Sequence, residues 1–182
     1  MPNRIQRILE SIKTNAGNDI YRRIISTCGP LGEKASITTQ SNYLKSLLYE
    51  LENTTGSKVV SNVMKPCGYQ CISDSTIARA KAMHAKSKNL EDFLRLLNER
   101  RIGGGRLHIK GGKIIGIYEQ CYCGLARSTK NLSPLYCNCS AGWYERLFSS
   151  VFDKPIEVKI VQTILDGSDI CVFEITYQEG LR

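Results

Sequence analysis

Eight cysteines are spread over the 182 residues of this chain, and six of them fall into pairs: Cys67-Gly-Tyr-Gln-Cys71, Cys121-Tyr122-Cys123 and Cys137-Asn138-Cys139. In an extended segment residues i and i+2 point to the same side, so each Cys-X-Cys presents two thiols together. Two such pairs, separated by a loop containing Gly124 and Pro134, predict four sulfurs closing around a tetrahedral ion. Zinc takes four thiolates at about 2.3 Å and is the first choice. An iron–sulfur cluster also uses four cysteines but needs dedicated assembly, and is the second. Pro66 and Gly68 predict a turn leading into a helix, whose N-terminus would acidify the thiols of Cys67 and Cys71. These two are placed to complete the same site or to form a separate redox pair. The candidate metal ligands are therefore Cys121, Cys123, Cys137 and Cys139, with Cys67 and Cys71. Buried packing cysteines are the bland alternative. An enzyme with a cysteine thiolate as nucleophile or redox centre, assisted by Glu119 or Cys71, is the competing functional class.

Other chemistry-bearing residues are fewer. Glu119 precedes the first Cys-X-Cys by two residues and, on a strand, would share its face as an oxygen ligand or base. Tyr118, Tyr122, Tyr136 and Trp143, with Tyr144, concentrate around the cysteines and are the candidate lining of an apolar ligand pocket. Cys171 sits in the apolar run Ile170-Cys171-Val172-Phe173 and reads as packing; Cys28 stands apart. His84 and His108 share no spacing motif and read as structural. Neither Gly103-Gly104-Gly105 nor Gly111-Gly112 is followed by a Gly-Lys-Ser/Thr signature, so both read as turns.

The elements that must position these residues change character along the chain. Ile5, Ile8, Leu9 and Ile12, then Ile20, Ile24 and Ile25, then Leu44, Leu47, Leu48 and Leu51 recur at helical spacing. Ser73 to Lys86 and Asp92 to Arg100 continue the helical half. Beyond the triple glycine the pattern alternates: Arg106 to Lys110 and Lys113 to Glu119 predict a hairpin closed by Gly111-Gly112. A helix from Ala141 to Phe152 follows, stopped by Pro155, and then strands Ile156 to Leu165 and Ile170 to Tyr177. This segregated order predicts one α+β domain over residues 1–182: a helical part, 1–102, packed on an antiparallel sheet of two hairpins with an intervening helix, 103–182.

Composition narrows the class further. The length suits one buried core. Met1 to Ile12 has no uninterrupted apolar region, so no secretory leader is expected, nor does any stretch reach the roughly 20 apolar residues of a membrane helix. A cytoplasmic protein with reduced cysteines is the expectation, which favours metal or thiol chemistry over disulfides. The net charge of +8 comes from scattered Lys and Arg without a dense run. It reads as a solvated surface, and nucleic acid is not the expected partner.

The stretch Cys137-Asn-Cys-Ser-Ala-Gly-Trp143, a helix, then Pro155-Ile-Glu-Val158 and Asp166-Gly-Ser-Asp-Ile-Cys-Val-Phe-Glu-Ile175 resembles the four-vinyl-reductase (hydrocarbon-binding) domain family. That family is related in fold to transport-particle subunits and haem nitric-oxide-binding domains. The resemblance covers residues 100 to 177 and, by element order, the helical half, as a cysteine-rich branch. It implies a small-molecule-binding sensor or accessory domain, acting as a homodimer. Some members hold zinc through a Glu and three Cys near the C-terminal hairpin. Here Cys171 matches the final cysteine, but Thr163 and Ile160 occupy the preceding cysteine and glutamate positions, so that zinc is not carried over.

Overall fold

The computed structural model describes residues 4–177. Met1 to Asn3, part of the stretch read for a leader, and the last five residues of the expected domain lie outside the described residues.

The helical half forms where the apolar stripes predict it. Helices α1 (Arg4–Asn15), α2 (Asn18–Cys28), α3 (Ile37–Thr55) and α4 (Ser57–Tyr69) bury Ile5, Ile8, Ile12, Ile24, Leu44, Leu47, Leu48, Leu51, Val60, Val63 and Met64 as one cluster. Ser36 caps α3 by accepting from the Thr39 N–H at 3.1 Å, and Gly56, at φ 80°, ends it. Helices α5 (Asp74–Lys86) and α6 (Leu90–Glu99) start at Ser73 and Asn89, whose side chains accept from the Thr76 and Asp92 N–H groups. Such caps satisfy donors that the first helical turn leaves unpaired.

Pro66 and Gly68 do not begin a new helix. They lie inside the last turns of α4, so Cys67 is a helical residue and Cys71 falls in the short connection to α5. The expected position of this pair at a helix N-terminus is therefore corrected.

The sheet half opens with a 3₁₀ turn, Ile102–Gly105, in which all three glycines take positive φ. Strands β1 (Leu107–Lys110) and β2 (Lys113–Tyr118) form the expected hairpin, with Gly111 and Gly112 at φ 58° and 73° in the two turn positions. A short helix α7 (Gly124–Arg127) and a 3₁₀ turn (Pro134–Cys137) lead into α8 (Asn138–Phe152). Strands β3 (Ile156–Gln162) and β4 (Cys171–Tyr177) complete an antiparallel sheet of order β1-β2-β4-β3. The run to Leu165 is not all strand: pairing ends at Gln162, and Thr163 and Asp166 form a capping box around a 3₁₀ turn, Ile164–Asp166. The fold is α+β, helices packed on two joined hairpins.

A second cluster packs α5, α6 and α8 on the sheet through Phe93, Leu97, Tyr144, Leu147, Phe148 and Phe173. The two clusters meet where α4 crosses α8. A Cβ on Gly68 would stand 2.0 Å from the Cys139 carbonyl oxygen, and one on Gly142 would stand 2.1 Å from the Lys65 carbonyl oxygen. The two backbones touch there. Beside this crossing, buried Glu145 accepts from Lys65 Nζ at 2.5 Å and from the Tyr69 hydroxyl at 2.9 Å.

Candidate thiol-lined cleft

Where α1, the α4–α5 connection, α8 and the sheet come together they enclose a cleft of about 280 Å³. Cys71, Cys121, Cys123, Cys137, Cys139 and Cys171 all line it, with Tyr118, Tyr122, Tyr136 and Trp143. Four separate parts of the fold deliver these thiols. The tight α4–α8 crossing carries Cys71 to Cys139. The β2–β4 register sets Tyr118 opposite Cys171, so the chain leaving β2 brings Cys121 and Cys123 past the start of β4. All eight cysteines are free thiols.

The second Cys-X-Cys is not extended. Cys137 closes the 3₁₀ turn and Cys139 lies in the first turn of α8. On a helix, positions i and i+2 diverge by about 200°, so the two thiols part company. Cys139 and Cys71 line the cleft together and act on each other electrostatically, as do Cys137 and Cys171. The cleft thus holds two interacting thiol pairs, each joining residues distant in sequence.

Each pair is electrically polarised. The hydrogen bond from Cys139 holds the Cys71 thiol down at about 6, against burial, with Arg4 and Arg7 adding to the effect. That bond, and then burial, pushes Cys139 well up. Likewise the bond from Cys137 lowers Cys171 to about 7 against burial, helped by the Ile164 N–H, which donates to Cys171 Sγ at 3.3 Å. Cys137 is pushed up by its bond to Cys171 and by burial. In each pair one thiol is acidified and its partner made less acidic.

Cys121 and Cys123 follow β2 without regular structure. Burial raises the Cys121 thiol. Arg4 Nη1 donates to Cys123 Sγ at 2.6 Å, and Cys123 shares a 3.0 Å hydrogen bond with the Tyr136 hydroxyl. Burial alone would lower the Arg4 guanidinium, but the nearby thiols and Tyr136 keep it firmly protonated. Sequence reasoning missed Arg4, because nothing in its spacing marks it; only the packing of α1 beside the cleft does. Tyr118 stacks on Tyr144 at 5.5 Å and meets Tyr122 edge-on at 5.2 Å, forming an aromatic wall.

Other candidates lie elsewhere. Cys67 is 2% exposed and turned inward, donating to the Val63 carbonyl oxygen at 3.3 Å; burial lifts its thiol to about 11. It does not line the cleft. Glu119 is exposed and ion-paired with Arg106, so its expected place on the face of the first cysteine pair is corrected. Cys28 ends α2, remote from the lining. Cys171, read as packing, is buried at 4% exposure and still reaches the cleft. Among the described residues no three His, Cys, Asp or Glu side chains are arranged to hold one metal ion as they stand.

Since the thiolate is the form that alkylates, metal-free protein should show iodoacetamide labelling at Cys71 that is half-maximal near pH 6 and at plateau by pH 8. Peptide mapping across a pH series measures this. A midpoint in the usual thiol range, about 8.5, would refute the polarised pair.

A family model described as a family of unknown function (DUF6144) matches residues 1–181. The chain belongs to this family. A search of curated proteins finds no match. Among solved structures, DUF6144 here is similar to a mutant H-NOX domain from Shewanella oneidensis, solved by NMR in the Fe(II)CO ligation state, at 15% identity over 99% of this chain and 100% of that one, with a TM-score of 0.50. A crystal structure of an H-NOX protein from S. oneidensis in the Fe(II)NO ligation state matches at 14% identity over 97% and 98% of the two chains, with a TM-score of 0.48. At such identity the first likeness is one of fold, the fold of haem nitric-oxide-binding domains.

The cleft of this DUF6144 chain offers a haem no imidazole ligand. Imidazole is the axial ligand of many haem sensors, yet neither histidine reaches the cleft. His84 is held edge-on against Phe93 and Phe152 at 5.0 and 5.4 Å, and His108 lies on β1 beside α6. No helix among the described residues is long and apolar enough to cross a membrane.

Proposed function

We propose that this chain is a ligand-binding domain, a sensor or accessory module, whose cleft takes a thiophilic metal ion, zinc in the first place and an iron–sulfur cluster in the second. The observation that carries this reading is the convergence of Cys71, Cys121, Cys123, Cys137, Cys139 and Cys171 on one partly enclosed cleft, as free thiols. Soft thiolate ligands select such ions. Cys71 and Cys171 supply acidified thiols, and Cys121 and Cys123 reach the same cleft from an irregular segment after β2. Arg4 offsets the charge that gathering thiolates would build up. Cys67 is left out of the ligand set because its thiol faces the core.

Tyr118, Tyr122, Tyr136 and Trp143 supply an apolar wall on which a small organic ligand would rest. The four-vinyl-reductase resemblance and its homodimer belong to the same proposal; sedimentation of the purified chain tests the dimer.

Metal binding to such loops contributes folding free energy directly. Zinc added to reduced, metal-free protein should therefore raise the melting temperature and protect the cleft cysteines from alkylation, with Cys28 still labelled. Unchanged melting and unchanged labelling would refute the reading.

The acidified thiol of Cys71 at the cleft favours a second reading, thiol nucleophile or redox chemistry at that residue. Rapid single-site labelling that zinc does not suppress would favour it.

A further inference from the structure

We infer that the cleft binds a small aromatic carboxylate, with its ring on the wall of Tyr118, Tyr122 and Trp143 and its carboxylate on the guanidinium of Arg101. This names the organic ligand of the ligand-binding reading above, on which it rests, and it requires no metal ion.

The charge of the lining points to such a ligand. Among the described residues, those around the cleft include two arginines, Arg4 and Arg101, and no Asp, Glu, Lys or His. Aromatic walls whose permanent charges are all positive complement an apolar body that ends in an anion.

The two arginines are placed differently. Arg4 is half-buried and committed to the cleft wall, since its Nη1 donates to Cys123 Sγ at 2.6 Å. It adds positive potential from within. Arg101 is exposed at the mouth, where the cleft adjoins a polar groove, and among the described residues no hydrogen bond or ion pair holds its side chain. The carboxylate lining that groove, Glu119, is paired with Arg106 instead. An uncommitted guanidinium offers two parallel N–H groups, the fork that matches a carboxylate.

The fold fixes this fork beside the aromatic wall. Arg101, at φ 52°, turns the chain out of α6 into the 3₁₀ turn Ile102–Gly105. That turn is pinned twice: the Tyr144 hydroxyl donates to the Gly103 carbonyl oxygen at 2.8 Å, and the Tyr122 hydroxyl to that of Gly104 at 3.3 Å. A Cβ on Gly104 would stand 2.5 Å from the Tyr118 ring, so the turn lies directly against the wall. One packed unit thus carries both the ring platform and the cation.

Trp143 is the single tryptophan of the chain and lines the cleft, so its fluorescence reports occupancy. The test titrates reduced, metal-free, full-length protein with benzoate, with benzyl alcohol, which keeps the ring without the charge, and with acetate, which keeps the charge without the ring. Benzoate should bind saturably and about tenfold or more tighter than either, as a charge-assisted pair implies. Added salt should weaken it. Arg101→Gln should abolish the advantage of benzoate over benzyl alcohol at unchanged melting temperature, and Arg101→Lys should keep part of it, because the charge stays and the fork goes. If Arg101→Gln folds poorly, the three probes and the salt series on the wild type still decide. Benzoate bound no better than benzyl alcohol, an advantage that survives in Arg101→Gln, or no saturable binding at millimolar benzoate would overturn the inference. Zinc uptake on the same preparation separates the readings. Zinc taken up with benzoate refused sinks this inference and leaves the metal site, whereas benzoate bound with zinc refused does the reverse.

Discussion

Gly142→Ala should lower the melting temperature of this protein by roughly 6–12 °C, although alanine is the better helix former. Intrinsic propensity favours alanine over glycine by about 1 kcal/mol in a helix interior. Packing opposes it. The new Cβ would stand 2.1 Å from the Lys65 carbonyl oxygen and 3.0 Å from the Lys65 Cα. These are backbone atoms of α4 and cannot rotate aside, so the helices must separate. Overpacking costs about 1–3 kcal/mol, occasionally more; a backbone clash belongs at or above the top of that range. For a chain of this length each kcal/mol shifts the melting temperature by about 2–4 °C.

Gly68→Ala meets the mirror-image obstacle, the Cys139 carbonyl oxygen at 2.0 Å. Once one alanine has opened the crossing the second should cost much less, so the double variant should fall short of the sum. Gly124→Ala, whose Cβ would meet open space, should be nearly neutral. Calorimetry on the four variants checks this, and a thermally silent Gly142→Ala would contradict the described crossing. Separation of α4 from α8 would also part Cys71 from Cys139, so the low-pH labelling of Cys71 should weaken along with stability.

The second large effect lies beside the same crossing. Lys65→Met should destabilise the fold by about 3 kcal/mol, because it leaves the Glu145 carboxylate buried with only the Tyr69 hydroxyl as partner. Lys65 is itself one-third exposed, which keeps the cost at the low end of what breaking a buried pair brings. Pairing Lys65→Met with Glu145→Leu removes both charges and should recover most of the loss. Urea unfolding of the single and double variants decides it: a double variant as unstable as Lys65→Met would mean that packing, not the stranded charge, carries the effect.

The sequence made the secondary structure legible and the site only in part, for identifiable reasons. Apolar stripes such as Ile5, Ile8 and Ile12 mark helices because burial enforces a 3.6-residue period. Gly111-Gly112 marks the hairpin because both turn positions need positive φ. The thiol pairing is different in kind. Cys71 and Cys139 share one cleft because Gly68 and Gly142 let two helices touch, a tertiary fact that no local pattern encodes. Cys137 and Cys139 look like one unit in sequence, yet the helix that begins between them sends their thiols to different partners. Gly68 suggests a turn when read locally; its actual use is to admit the backbone of α8. Cys171 reads correctly as buried, but its place opposite Tyr118 at the open end of the sheet gives it a second face, toward the cleft.

In this chain the fold of a haem nitric-oxide-binding domain carries a cleft lined by thiols and by neither histidine. One fold hosts many functions, and the side chains of the site decide among them. The most direct measurement is elemental analysis of the protein purified without oxygen, set beside a Cys71→Ser/Cys171→Ser variant that keeps its fold by circular dichroism. Bound zinc, or iron with sulfide, is expected in near-stoichiometric amount in the wild type and should be lost in the variant. Wild-type protein that holds no such metal, takes up no zinc when offered it, and keeps every cleft thiol open to alkylation would contradict it.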